Sequence, residues 1–209
     1  MKKYTVLFLI LGCILFAEDK KDPFEFSAPE DWRPERIFFP LSFAPDIKYK
    51  GFEELRFAPG MFKPETEDYF CYVFFFWIEE KISIDKKEVH KILLAYYKGL
   101  CKAVADKRKL KLNFDTIKVS VKDDEKSKGK FYVVVDWYDP FVTGEKLSLH
   151  MDINFFYSKD ETKSILFACV SPKFPTKENK TWATMYDIRD SFKLKSVEKL
   201  EKSSTPGKN

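Results

Sequence analysis

Histidine is almost missing from these 209 residues: there are two, His90 and His150, and neither stands in the spacing of a metal site. Glycine is scarce as well, at seven scattered residues, which excludes the glycine-rich loops that cradle phosphates. The "TGEK" of Thr143 to Lys146 therefore reads as a hairpin turn. Four cysteines, Cys13, Cys71, Cys101 and Cys169, are too few and too widely spaced for a small disulfide scaffold. Neither sign of charge dominates: 37 basic residues against 33 acidic give +4, and a leader carrying Lys2 and Lys3 would take two of those charges with it. Such a balance excludes a field strong enough to argue for nucleic acid or anionic lipid as partner. Beyond the first 17 residues no apolar run reaches the length needed to cross a bilayer. Nothing in the residues implies a cofactor or a metal.

What the chain does carry in quantity is aromatic surface. Phenylalanine alone supplies 22 residues and aromatics make up 17% of the chain, more than a flexible polymer can keep in water, so the middle of the chain must fold. The length suits one well-buried core and is short for two. We expect a leader over 1–17, a polar tether over 18–31, one α+β domain over 32–195 and a disordered polar tail over 196–209.

The opening "MKKYTVLFLILGCILFAEDKKD" has the parts of an export signal: Lys2 and Lys3, an apolar stretch from Val6 to Phe16, and Ala17 before Glu18. The expectation is cleavage after Ala17 and an exported protein, periplasmic or secreted. The alternative is a lipoprotein signal, in which Ile10, Leu11 and Gly12 lead to an acylated Cys13; the product would be an outer-membrane lipoprotein, and this is the one route that ties the chain to a membrane. Against it, Ile14 to Ala17 stay apolar past the cysteine.

The densest stretch, "DYFCYVFFFWIEE" from Asp68 to Glu80, fits either a strand or a buried helix by periodicity alone. Its ten apolar residues would make only about 15 Å of helix, half a bilayer. Tyr, Phe, Val, Trp and Ile suit a pleated surface, so we read a strand. Neither alternating face is polar, so both must be covered. Asp85 followed by Glu88 resembles a capping box, and Val89, Ile92, Leu93, Tyr96, Tyr97, Leu100 and Val104 recur at helical spacing, which predicts a helix from about Lys86 to about Lys109. Prolines 34, 40, 45, 59 and 64 restrict the region before it to short edge strands, with "RIFFPLSF" and "FEELRFAPG" the best candidates.

After the helix, Ile117, Val119 and Val121 alternate with polar residues, and "FYVVVDWYD" and "EKLSLHMDINFF" follow. A turn over Pro140 to Gly144 would pair Tyr138 with Lys146 and Asp136 with Ser148. That register brings Phe131, Val133, Val135 and Trp137 to the same face as Leu147, Leu149, Met151 and Ile153, and a one-residue slip would destroy it. "KSILFACVSP" predicts a further buried strand, and a second helix should start near Thr181 or Trp182 and turn Met185, Tyr186, Ile188 and Phe192 inward. The expected fold is α+β: an antiparallel sheet with the long helix on one face and the C-terminal helix on the other, an α/β/α sandwich.

This order of early strands, long helix, antiparallel strands and a last helix ending "YDIRDSFKL", with Ser191 and Phe192, resembles the PsbP/Mog1 family of three-layer domains over roughly Trp32 to Leu194. The resemblance implies a noncatalytic accessory or binding protein. No ligand residue of that family matches a position here, so none is carried over.

Catalytic candidates are few. His90 rides the long helix beside Lys86, Lys87 and Lys91 and reads as a solvated residue. His150 projects, on the proposed hairpin, from the same face as Asp136, Ser148, Asp152, Tyr132 and Tyr138, so an imidazole, acids and hydroxyls share one neighbourhood, as a general base with an orienting carboxylate requires. An exposed face of alternating polar residues yields the same set with no function. Ser148 has neither a sharp strand-to-helix turn nor an oxyanion pocket. Trp32, Trp77, Trp137 and Trp182 could line a cavity for an apolar small molecule or simply fill a two-sided core. Cys71 and Cys169 read as buried small hydrophobes, with one disulfide among Cys71, Cys101 and Cys169 left open by an oxidising compartment. The expected function is binding: an exported accessory protein whose partner is a protein or an apolar small molecule, with a hydrolase using His150 with Asp136 or Asp152 as the alternative.

Overall fold

The computed structural model describes residues 22–176 and 178–195; the leader with Ala17 and Cys13, and the tail over 196–209, lie outside the described residues. The chain is a mixed α+β fold. In order it forms β1 (Phe24–Glu25), β2 (Arg33–Phe38), β3 (Gly51–Phe57), β4 (Tyr72–Ile78), α1 (Lys86–Arg108), β5 (Lys118–Asp123), β6 (Lys130–Tyr138), β7 (Lys146–Tyr157), β8 (Ser164–Ser171), α2 (Lys180–Ser191) and β9 (Lys193–Leu194). Seven strands make one antiparallel sheet in the order β2-β3-β4-β8-β7-β6-β5, and β1 pairs with β9 in a separate two-stranded sheet.

The aromatic stretch is a strand near the middle of the sheet, and every residue of β4 is buried. Its alternation feeds two cores. Tyr72, Phe74, Phe76 and Ile78 join Ile92, Leu93, Tyr96 and Tyr97 of α1, while Val73, Phe75 and Trp77 join Trp182, Met185 and Ile188 of α2. The helices therefore pack against opposite faces, as the two apolar sides of β4 require. Helix α1 begins where Asp85 accepts the Glu88 N–H at 2.9 Å and stops at Lys109, whose φ of 57° lies in the left-handed region. Helix α2 begins at Asn179, whose side-chain oxygen accepts the N–H groups of Thr181 and Trp182.

The β6–β7 hairpin has the register its alternation dictates, with Tyr138 opposite Lys146 and Asp136 opposite Ser148. Its turn is held by Asp139, which is fully buried and accepts from the Tyr69 hydroxyl at 2.6 Å, the backbone N–H groups of Phe141, Val142 and Thr143, and the Thr143 hydroxyl. The β2 strand ends at Phe38 and starts earlier than "RIFFPLSF" suggests, because Pro40 has no donor to continue the ladder.

One correction concerns the tether. From Asp22 onward the segment belongs to the fold: Phe24 is 3% exposed and packs edge-on to Phe75 with ring centroids 4.9 Å apart, and Phe26 meets the same ring at 5.6 Å. The polar neighbours Asp22 and Glu25 hide a two-residue strand whose side chains close the α2 side of the core. The four tryptophans do not gather around one cavity. All are buried, Trp137 on the α1 side and Trp32, Trp77 and Trp182 on the α2 side. Cys71, Cys101 and Cys169 are buried and free.

Candidate functional site

The α2 side of the sheet is roofed over only part of its width. Helix α2 and the β1 segment cover β3, β4 and β8, but across β5, β6 and the start of β7 the outward side chains meet solvent. Pairing sets these residues in rows: Lys118, Asp136 and Ser148 in one, Ser120, Val134 and His150 in the next, Lys122, Tyr132 and Asp152 in the third. The pairing sets His150 on one face with Tyr132, Asp136, Ser148 and Asp152, and its bonding can be read directly.

His150 Nδ1 and the Tyr132 hydroxyl share a hydrogen bond of 2.6 Å. Partial burial lowers the imidazole pKa, opposed by the charge of Asp136. The carboxylates proposed to orient it are engaged elsewhere. Asp136 accepts from the Ser148 hydroxyl at 2.6 Å, and Asp152 accepts from Arg189 of α2 at 3.3 Å. A general base held by an acid needs a bond from that acid to a ring nitrogen, and His150 has its bond to a phenol instead. Arg189 itself stacks on Tyr186, its guanidinium 4.5 Å from the ring centroid, so Asp152 serves to seat α2.

A third aromatic completes the group. Phe174, in the loop after β8, is 62% exposed and lies 5.6 Å from His150 and 5.7 Å from Tyr132 between ring centroids. Phe38 and Phe174 are the two large hydrophobic side chains left exposed among the described residues, and Phe38 stands at the opposite edge of the sheet. Beside the first row a cleft of about 520 Å³ opens, lined by Asp115, Thr116, Lys118, Asp136, Lys146 and Ser148 among others. Trp137 and Leu147 complete its lining, so charged, hydroxylic and apolar groups share its walls. Among the described residues no group of three or more His, Cys, Asp or Glu side chains could hold a metal ion, and no helix is long and apolar enough to cross a membrane.

A second polar cluster lies inside the protein. Glu53 of β3 is wholly buried under α1; its Oε1 accepts from the Tyr96 hydroxyl at 2.8 Å, while Oε2 has no partner. Burial raises its pKa to about 8, with the Tyr96 hydrogen bond opposing and the charge of Glu35 adding, so Glu53 is largely protonated at pH 7. Next to it the hydroxyls of Tyr72 and Tyr97 bond to one another. Phe39 and Phe43 of the β2–β3 connection pack on Phe76 and Tyr96, and the α1 backbone at Gly99 comes so close that a Cβ there would stand 1.9 Å from the Phe43 carbonyl oxygen. With that roof in place no substrate reaches Glu53. The thiols are equally withdrawn: burial pushes Cys71 up to about 12 and Cys101 up to about 11, so neither is a nucleophile at neutral pH.

His90 is exposed on α1, as its lysine-rich surroundings predict. Sequence reasoning missed Glu53, although alternation in "FEELRF" sets it on the same side as Leu55 and Phe57, and it missed Phe174, which no local pattern marks. No family model, no curated protein and no solved structure matches this chain.

Proposed function

We propose that this is an exported, noncatalytic binding or accessory protein that engages a partner protein through the unroofed part of its sheet, on a three-layer fold of the PsbP/Mog1 kind. The observation that carries the reading is the Tyr132, His150 and Phe174 cluster: three rings in mutual contact, one of them mostly exposed, on the part of the α2 side that neither α2 nor β1 covers. Contiguous apolar surface rimmed by polar residues is the form an interaction site takes, and aromatic anchors supply much of the energy there. The hydrolase alternative has less behind it, since neither Asp136 nor Asp152 bonds to His150. Export rests on the Lys2 to Ala17 leader pattern, with acylation at Cys13 as the competing fate.

A photo-crosslinking amino acid at Phe174, set against the same group at His90 on α1, tests the surface in the cells that make the protein. The expected outcome is a discrete protein adduct from position 174 and none from 90; no adduct at 174 removes the reading. Mass spectrometry of the mature amino terminus tests export, with a free Glu18 expected and a lipid-modified Cys13 replacing it under the alternative. The double substitution His150→Ala with Asp136→Ala should leave the adduct partner's own activity to be explained without hydrolysis by this chain; loss of a measurable hydrolytic activity on making it would restore the enzyme reading.

A further inference from the structure

From the charges around the same surface we infer that its partner presents an extended acidic segment carrying aromatic or large apolar side chains; this rests on the binding reading above. Four lysines, Lys118, Lys122, Lys130 and Lys146, are exposed on the unroofed side of β5, β6 and β7, and none makes an ion pair among the described residues. Three of the acids beside them are already matched. Asp115 lies 3.7 Å from Lys98, Asp123 lies 3.6 Å from Lys86, and Asp152 lies 3.3 Å from Arg189. Two more acids keep their charge: Asp136, bonded by the neutral Ser148 hydroxyl, stands across the ladder from Lys118, and exposed Asp124 follows β5 with its N–H donating to the Lys130 carbonyl, while Glu125 and Glu145 sit in the turns at opposite ends of β6. Four lysines against the carboxylates of Asp136 and Asp124 leave a surplus of cations on one side of three strands. Unpaired cations ringing an aromatic centre are complementary to anions ringing an apolar one.

The shape selects an extended occupant. From Lys130 to Tyr138 the β6 strand advances eight residues, about 26 Å at ~3.3 Å per residue, the reach of an extended segment of similar length. The cleft beside Asp136 and Ser148 lies at one end of this track and the three rings lie further along it. Two other anions fit less well. Lysine can neutralise nucleic acid phosphates, but bidentate recognition favours arginine, and Arg33, Arg36, Arg56 and Arg108 lie outside these rows while Arg189 is taken by Asp152 and Asp190. A polyphosphate track would also pass over the Asp136 carboxylate, whereas a peptide can set a hydrogen-bond donor there.

The test uses a fluorescein-labelled random copolymer of glutamate and tyrosine as probe, with the purified mature protein, and runs an oligothymidylate and phosphatidylglycerol vesicles beside it. We expect the copolymer to bind, salt to weaken it, and either Lys122→Glu with Lys130→Glu or Phe174→Ser to weaken it by about tenfold. Lys102→Glu, on the exposed side of α1, should change nothing. Equal loss in the Lys102→Glu protein, absence of copolymer binding, or tighter binding of the oligonucleotide or the vesicles would each overturn the inference. If the adduct at position 174 persists while the copolymer fails, the partner class alone is wrong; if the adduct is absent, the binding surface itself is.

Discussion

The sheet side that meets α2 is closed over β3, β4 and β8 and open over β5, β6 and β7, though one chain with one strand period built both parts. In the closed part Val73, Phe75, Trp77, Ile165, Phe167 and Cys169 are all buried; in the open part Lys118, Ser120, Lys122, Asp136 and Ser148 stand in solvent. The difference lies in the strands themselves: β4 and β8 are apolar on both faces and attract cover, whereas β5 to β7 alternate and do not. On this side of the sheet, packing is therefore concentrated over β3, β4 and β8 and open surface over β5 to β7.

The sharpest way to break this contrast is to cut into the closed part. Trp182 is wholly buried and its indole N–H donates to the Lys173 carbonyl at 3.0 Å. Trp182→Ala should cost about 3–5 kcal/mol, the usual loss for a buried aromatic, in chemical denaturation. A loss no larger than that of a surface substitution would mean that α2 is an appendage and that the two parts do not differ in kind.

Glu53 sharpens the comparison from the other face, because its neighbour Glu54 shows what a buried carboxylate normally receives. Glu54 is flanked by Arg36 at 2.5 Å and Arg56 at 2.6 Å, whereas Glu53 has one phenol and an orphan oxygen. Its folded pKa of about 8 stands above the ordinary 4.5. Below pH 4.5 both folded and unfolded chains hold the proton and the group is neutral to stability. Between 4.5 and about 8 only the folded chain holds it, so stability falls as pH rises, at about 1.4 kcal/mol per unit, and the fall ends once the folded state ionises too. Glu53→Gln should remove that slope and stabilise the protein at pH 8 by a few kcal/mol, on the order of the slope times the window. Denaturation midpoints at pH 5 and pH 8 decide it: if wild type and variant shift in parallel, the proton is not on Glu53.

The two parts were not equally legible from residues alone. Periodicity placed β4, both helices and the Tyr138 to Lys146 register, because an apolar alternation can pair only one way without exposing its core. It gathered His150, Asp136 and Asp152 on one face, but whether a carboxylate turns to the imidazole or to an arginine depends on α2, forty residues on. Phe24 stayed hidden because a strand of two residues has no period. Phe174 stayed hidden because its position follows from where the β8 to α2 connection crosses the sheet, which is a property of the packed layers.

Phe174 gives the smallest effect on stability and the most informative one. A side chain 62% exposed, touching Tyr132 and His150 at their outer edges, contributes little to a core that lies on the other side of those strands. Phe174→Ser should therefore change stability by no more than about 0.5 kcal/mol, as surface substitutions do, while Trp182→Ala a few residues away costs several times more. The neutral result matters because it separates Phe174 from the packing, leaving its ring as surface available for contact. A loss of two or more kcal/mol on the same substitution would instead make Phe174 part of the packing, and the open part of the sheet would become a thin edge of the core with no surplus surface to offer a partner.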